Sequence, residues 1–147
     1  RTMTKRLIRL AAPADAAELA RLNARFNGEG LTSPEEVRAA LESNGSEVVA
    51  VCEADGKLAG FACARVARSV CYRRPTAEIT ELYVEPPFRR EGIARELVAL
   101  LEARCKALGA EEFTILTGKD NAPAQALYRA LGYVECGEVM FAKTTGA

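Results

Sequence analysis

Residues 77–94 read AEITELYVEPPFRREGIA, which is a strand-like run followed by a pair of prolines, a basic turn and the start of a helix. The strand-like run has a two-residue apolar period that slips by one residue midway, since its apolar members are Ala77, Ile79, Leu82 and Val84. This slip predicts a β-bulge near Thr80 and Glu81. Bulges bend a strand and leave peptide groups unpaired, and they are frequent beside active sites. A strand buried on both faces is the alternative explanation of the pattern.

The turn after the two prolines predicts an anion site. It reads Arg-Arg-Glu-Gly-Ile-Ala over residues 89–94 and leads directly into an amphipathic helix. The start of a helix offers unpaired N–H groups and a partial positive charge, and Gly92 and Ala94 leave room for a phosphate at the backbone. Three arginines add positive charge there, namely Arg89, Arg90 and Arg95. The glycine-rich fingerprints G-x-x-x-x-G-K-[ST] and G-x-G-x-x-G are both absent, so a solvated basic helix start is the alternative.

Outward from this segment, periodicity and turn residues predict the order β-α-α-β-β-β-α-β-α-β-β in one domain over residues 1–147. The predicted strands are 5–11, 47–54, 57–68, 77–84, 112–117 and one or two within 133–143. The predicted helices begin near Pro13, Ser33, Gly92 and Ala122. Asp55-Gly56 suits a tight hairpin turn between the second and third strands. Arg1 and Thr2 precede Met3 and are interpreted as residues added for expression.

Composition excludes several classes of function. The chain is 49% apolar and 27% charged, and its twenty basic residues balance twenty acidic ones, so we expect neither a nucleic-acid nor a membrane partner. It contains no histidine, which excludes Ser-His-Asp and Cys-His nucleophile pairs and histidine-ligated zinc, and we expect no metal. Its five cysteines form no C-x-x-C pair and predict buried thiols in a reducing cytoplasm.

The region after the basic turn has a sequence pattern that is similar to that of a known protein family. The helix is followed by a strand, by Asn121, Ala124 and Tyr128, and by the sequence Leu-Gly-Tyr at residues 131–133. With the bulged strand and the R-x-x-G-x-A turn, this arrangement resembles the GCN5-related N-acetyltransferase superfamily. The resemblance implies an α/β (α+β) fold with a mixed, mostly antiparallel central sheet of six or seven strands. In such a fold the sheet is splayed between strands 4 and 5 and is flanked by four helices.

The resemblance also implies that acetyl-coenzyme A is the cosubstrate. The turn would hold the coenzyme A diphosphate through Arg89, Arg90, Glu91, Gly92, Ile93, Ala94 and Arg95. The pantetheine arm would pair with backbone groups of Leu82 and Val84, which the bulge leaves free. Asn121 matches an asparagine that contacts the cofactor arm, and capping of the following helix explains it equally well. Tyr128 matches a tyrosine that protonates the departing thiolate, whereas filling core space is its alternative role.

The chemistry asks for a base, because only about one alkylamine in 10³ is neutral at pH 7. The candidates on the bulged strand are Glu81 and, second, Glu78, and either could instead pair with an arginine. Histone-acetylating members of the family resemble this chain in having an acidic residue at the Glu78 position. Aminoglycoside 3-N-acetyltransferases have one at the Glu81 position, and residues 81–94 resemble this second group more closely. Direct transfer in a ternary complex is expected, because no cysteine has a visible activator.

We therefore expect acetyl transfer to a primary amine of a small molecule, such as a polyamine or an aminoglycoside antibiotic. If the acceptor is an aminoglycoside, the role of the protein would be antibiotic resistance. The acceptor site is placed between the first two helices and the fourth strand, with walls from Phe26, Asn27, Glu29 and Tyr83. A peptide or protein N-acetyltransferase and a non-catalytic acyl-coenzyme A-binding regulatory module are the alternatives. Members of the family are often dimers, so the resemblance is compatible with a homodimer.

Overall fold

The computed structural model describes residues 5–146, so Arg1, Thr2 and Met3 lie outside the described residues. The chain divides into two compact units between Leu116 and Thr117. The first unit contains β1 (Arg6–Leu10), a short 3₁₀ helix (Pro13–Asp15), α1 (Ala16–Asn27), α2 (Pro34–Ser43), β2 (Glu47–Ala54), β3 (Lys57–Ala67), β4 (Thr76–Val84), a second 3₁₀ helix (Pro86–Phe88), α3 (Ile93–Ala107) and β5 (Phe113–Ile115). The second unit contains α4 (Ala122–Ala130).

The five strands form one sheet in the order β1-β2-β3-β4-β5. The first three pairings are antiparallel and β4 pairs with β5 in parallel, which confirms the predicted mixed, mostly antiparallel sheet. The hairpin between β2 and β3 turns at Asp55 and Gly56, whose φ angles are 53° and 74°. Two consecutive positive φ values are the requirement of the two-residue turn that matches strand twist.

The predicted bulge is present in β4. Cys63 of β3 pairs with Glu81, and the next residue, Ala64, pairs with Ile79, so Thr80 is the extra residue. Strand β5 pairs with β4 only at 77–79. The two strands therefore part at the bulge, which confirms the splay between strands 4 and 5.

Helices cover both faces of the sheet. Arg6 and Arg9 lie three residues apart on β1, so their side chains project from opposite faces. Arg6 contacts Glu96 of α3, whereas Arg9 contacts Asp15, which immediately precedes α1. The face toward α1 buries Leu19 and Leu22 against Val51, Phe61, Cys63 and Tyr83. On α3 the buried residues are Ile93, Leu97, Val98, Leu101 and Cys105. Each such leucine contributes about 1.5–3 kcal/mol of transfer free energy.

The prediction of six or seven strands is wrong, because the described chain forms five. The segment 133–146, where one or two strands were expected, forms neither helix nor strand. Four of its large apolar residues are not buried, since Val134, Val139, Met140 and Phe141 are each at least 70% exposed. Gly137 also interrupts the run, and glycine weakens a strand. Strand β5 is shorter than the predicted 112–117 because its neighbour turns away at the bulge.

Candidate functional site

The basic turn before α3 has an unusual backbone. Arg90 has a φ of 66° and Gly92 a φ of 82°, so two left-handed residues flank Glu91. Such a conformation is disfavoured for arginine and indicates a turn whose shape is imposed by its surroundings. The Gly92 carbonyl accepts the first hydrogen bond of α3 from the Glu96 N–H at 3.1 Å. The N–H groups of the helix's first turn have no acceptor within the helix.

Side chains around this turn divide into two groups. The three arginines are exposed, together with Gly92, while Glu91 and Ile93 are buried. A Cβ added at Gly92 would meet nothing closer than the Arg6 Nη2 atom at 3.9 Å, so the space over the turn is open. The turn thus combines a helix start, exposed arginines and open space at Gly92, which are the features that the predicted diphosphate cradle requires.

Arg6 of β1, which sequence reasoning missed, binds this turn through its guanidinium group. Its Nη2 atom donates to the Glu91 carbonyl at 2.7 Å, and its Nε atom donates to the Glu96 carboxylate at 2.9 Å. Its Nη1 atom also lies 3.8 Å from the Glu91 carboxylate. The residue lies more than 80 positions away in sequence, and no local pattern signals the contact.

The parted edge of β4 carries Leu82 and Val84. The Glu85 N–H donates to Ala59 of β3 at 2.8 Å, so by alternation the peptide groups of Leu82 and Val84 face the gap left by β5. The Val84 carbonyl is not free, however, because Arg89 Nε donates to it at 2.8 Å. This finding corrects the expectation that the bulge leaves all of these groups unpaired.

The bulge also determines where the candidate bases lie. Glu78 pairs with Arg65, and Glu81 pairs with Cys63 two residues away on β3, so both glutamates project from the same face. Without the extra residue Thr80, their three-residue separation would place them on opposite faces. Glu78 is engaged in an ion pair with Arg65 at 2.7 Å. Glu81 instead accepts a hydrogen bond from Asn27 Nδ2 at 2.8 Å.

A third carboxylate, Glu47 of β2, lies on this same face opposite Arg65. Burial raises the pKa of Glu47, Arg65 lowers it, and the neighbouring charge of Glu81 raises it again. The face of the sheet beneath the end of α1 therefore concentrates carboxylates around one arginine. Such a surface attracts cations.

Of the four predicted wall residues, one contacts the candidate base and two others contact each other. Phe26 stacks on Tyr83 with ring centroids 5.1 Å apart, and Asn27 contacts Glu81. Phe26 remains 41% exposed, so part of its aromatic surface is open to solvent. Glu29 lies instead in the loop between α1 and α2, where it lines a cavity of about 550 Å³ together with Arg21, Arg25, Gly28, Leu31 and Thr32.

Glu85 is a second functional candidate that the sequence analysis missed. It is only 8% exposed, and it accepts hydrogen bonds from Arg21 at 2.7 Å, Arg25 at 2.8 Å and the Tyr83 hydroxyl at 3.1 Å. Burial tends to raise the pKa of Glu85, but these three partners outweigh it and lower the pKa below its ordinary value. The spacing of Glu81, Tyr83 and Glu85 at every second residue is the sequence signal that could have placed them on one face.

Asn121 and Tyr128 belong to the second unit. Asn121 caps α4, because its side-chain oxygen accepts a hydrogen bond from the Ala124 N–H at 3.3 Å. The alternative role given for this residue is therefore observed. Tyr128 is half-buried within α4, and burial raises the pKa of its hydroxyl. A raised pKa keeps the phenol protonated at neutral pH, as a general acid requires.

Three of the five cysteines are buried and are not activated as nucleophiles. Cys52, Cys63 and Cys105 are buried, whereas Cys71 and Cys136 are exposed. Burial raises the pKa of Cys52 to about 11, and the pKa values of Cys63 and Cys105 are also raised by burial. These three thiols are therefore protonated at neutral pH and poor nucleophiles.

Two kinds of site are absent from residues 5–146. No helix within them is both long and apolar enough to cross a membrane. In the same range, no three histidine, cysteine, aspartate or glutamate side chains are grouped so that they could hold a metal ion.

Comparison with known proteins gives a consistent result. The model of the family described as "Acetyltransferase (GNAT) family" matches residues 16–133. Aminoglycoside N(6')-acetyltransferase type 1 of Stenotrophomonas maltophilia is 29% identical over 137 residues, which is 91% of this chain and 90% of that protein. This relative is of the N(6') type, not of the 3-N type with which the Glu81 position was compared.

Solved structures show the same fold. An aminoglycoside acetyltransferase from an uncultured soil metagenomic sample, in complex with sisomicin, superimposes with a TM-score of 0.84 at 23% identity, covering 96% of this chain and 97% of that one. Aminoglycoside N-acetyltransferase AAC(6')-Iy in complex with CoA superimposes with a TM-score of 0.82 at 22% identity, covering 97% of each chain.

Proposed function

Because this chain belongs to the acetyltransferase (GNAT) family, we propose that it transfers an acetyl group from acetyl-coenzyme A to a primary amine of a small molecule. The transfer is direct and takes place in a ternary complex of enzyme, acetyl-coenzyme A and amine. We also propose that residues 1–147 function as a single catalytic domain. A homodimer and a cytoplasmic location stay predictions from the sequence.

One observation carries the proposal. Strand β4 parts from β5 at the Thr80 bulge, and within a few residues it presents a candidate base, a strand edge that β5 does not cover and the left-handed turn before α3. The open space over Gly92 and the exposed arginines suit a diphosphate, and the parted edge suits an extended pantetheine arm. The chain's residues therefore fit coenzyme A. When bound, acetyl-coenzyme A supplies the activated thioester.

The residues of the chain have separate tasks in this reaction. The Glu81 carboxylate accepts a proton from the attacking ammonium group, which makes its nitrogen lone pair available, and Asn27 orients that carboxylate. A positioned base of this kind contributes about 10²–10⁴ in rate. As the amine nitrogen bonds to the thioester carbonyl carbon and the carbon–sulfur bond breaks, the Tyr128 hydroxyl would give its proton to the departing sulfur. Glu78 is the second choice of base, because its charge is already paired with Arg65.

The proposed acceptor is a polycationic amine such as an aminoglycoside or a polyamine. Glu47, Glu78 and Glu81 share one face of the sheet around Arg65, and several ammonium groups on one molecule complement this surface better than a neutral amine does. The Phe26 ring adds an exposed aromatic surface against which a sugar or alkyl chain can pack. The named relatives are aminoglycoside acetyltransferases, which supports the same class.

The deciding experiment measures thiol release from acetyl-coenzyme A with aminoglycosides, polyamines, amino acids and peptides, alongside calorimetric binding of coenzyme A. We expect turnover with polycationic small amines. Turnover with peptides alone would establish the protein acetyltransferase instead, and binding without any turnover would favour the regulatory module. Absence of coenzyme A binding by the folded protein would refute all three.

A further inference from the structure

Arg6 connects the first strand to the turn before α3. Its side chain is only 16% exposed, and its guanidinium bridges the Glu91 carbonyl and the Glu96 carboxylate. The bonded carbonyl belongs to the residue between the two left-handed residues Arg90 and Gly92. A hydrogen bond at this carbonyl fixes the peptide plane that leads into Gly92 and thus the direction of the amides that follow.

The same arginine balances negative charge at a place where an anion is expected. Glu96 lies in the first turn of α3, and the Glu91 side chain is buried directly behind the turn. Both carboxylates favour the helix start electrostatically, but they repel an incoming diphosphate. Arg6 lies within 4 Å of both, so it neutralises their charge beside the turn.

From this geometry we infer that Arg6 is a positioning residue for the diphosphate of coenzyme A. It acts through the Glu91 peptide and the two carboxylates rather than by direct contact with the reacting atoms. The inference rests on the proposed function, because it concerns the cosubstrate of that reaction. It predicts that Arg6 affects binding of the donor but not the chemical step.

The chain offers a matched control on the same strand. Arg9 is also a partly buried arginine in a network of ion pairs, with Asp15 at 2.8 Å and Glu53 at 3.2 Å. It projects from the opposite face of β1, and none of its contacts reaches the turn. Arg6→Gln and Arg9→Gln therefore remove comparable ion pairs, and only the former touches the candidate site.

The test compares coenzyme A binding by calorimetry, thermal stability, and turnover with acetyl-coenzyme A or with S-acetylpantetheine, which lacks the diphosphate. For Arg6→Gln we expect the Kd of coenzyme A and the KM of acetyl-coenzyme A to rise about tenfold, equivalent to ~1.4 kcal/mol. We expect kcat, and kcat/KM for S-acetylpantetheine, to change less than about twofold. Arg9→Gln should lower thermal stability and leave the Kd of coenzyme A within about twofold.

Equal Kd values for the wild type and Arg6→Gln would overturn the inference, and so would an equal loss with S-acetylpantetheine or in Arg9→Gln. If Arg6→Gln does not fold, Arg6→Lys carries the test, because lysine keeps the charge but cannot bridge both partners. Its Kd is then expected about threefold above that of the wild type, and an unchanged Kd would overturn the inference. Failure of the wild type to bind coenzyme A would instead refute the proposed function, which keeps the two failures distinguishable.

Discussion

Replacing Glu85 by glutamine tests whether the buried carboxylate fastens α1 to β4. Its two oxygens are shared among Arg21 and Arg25 of α1 and the Tyr83 hydroxyl of β4. Glutamine has nearly the same size, so the substitution leaves no cavity. It removes the charge and turns an N–H₂ group toward the guanidinium donors, which have no need of another donor.

The expected loss of stability follows from the exposure of each partner. The Tyr83 hydroxyl donates to a buried carboxylate, and replacing that carboxylate by an amide weakens this bond and leaves a buried donor facing a donor, which together cost about 1.5 kcal/mol. The Arg21 side chain is 39% exposed and remains partly solvated, so its pair is discounted to about 0.5 kcal/mol. Arg25 is exposed and is left out of the sum. The free energy of unfolding should therefore fall by about 2 kcal/mol.

Urea denaturation measures this loss directly, and its pH dependence isolates the cause. With a urea m-value of about 2 kcal/mol/M the midpoint should fall by roughly 1 M at pH 7. The pKa of Glu85 is lowered on folding, so its contribution is complete above the unfolded value of about 4.3 and is lost as the pH falls through the folded pKa. The difference between wild type and variant should accordingly close in acid.

The control for this prediction is Glu42→Gln, which breaks an exposed pair with Arg38 and should change stability by less than about 0.5 kcal/mol. Because α1 carries Phe26 and Asn27 to the base, Glu85→Gln should also raise the KM of the acceptor amine before that of the donor. A loss below about 0.5 kcal/mol, or a difference that persists unchanged at acid pH, would refute the reasoning.

Three further predictions concern the reaction and the sheet. Glu81→Gln should lower kcat by about 10²–10⁴ and shift the alkaline pH optimum of turnover. Glu78→Gln should change kcat less than about threefold. A larger loss of kcat in Glu78→Gln would show that Glu78 is the base. Tyr128→Phe should lower kcat about tenfold or more with an unchanged Kd for coenzyme A, and wild-type kcat in this variant would exclude the acid role. Gly60→Ala should cost about 2 kcal/mol in urea denaturation, because its Cβ would lie 2.8 Å from the backbone oxygen of Tyr83 and the strands must separate.

Much of the fold is predictable from local sequence, and the exceptions share a cause. Helix starts and stops follow from short-range rules, as when Ser33 accepts the Glu36 N–H at 3.2 Å. The bulge also leaves a local trace, since it shifts the apolar period. The prediction of strands within 133–143 was wrong, because a strand also needs a neighbouring strand, and a short apolar stretch of sequence does not reveal whether one is present.

The candidate site likewise has some residues that local sequence predicts and others that it does not. The turn at residues 89–94 and the candidate Glu81 are visible in a continuous motif. Arg6 and Glu85 escaped notice because their roles depend on contacts between residues 60 or more positions apart, which no window of sequence can show. The bond from Arg89 to the Val84 carbonyl was missed for a different reason, because a side chain substitutes there for an absent strand partner.

The single extra residue in β4 explains why base and donor site occur together. Thr80 is one extra residue in the strand, so every side chain after it points to the face opposite the one it would have in a regular strand. Glu81 therefore lies with Glu78, Tyr83 and Glu85 on the face covered by α1. The same bend separates β4 from β5 after Ile79 and opens the edge on which Leu82 and Val84 lie. Because both effects have one cause, neither can be lost without the other. A regular strand of the same composition would bury that edge against β5 and place Glu81 on the face opposite Glu78.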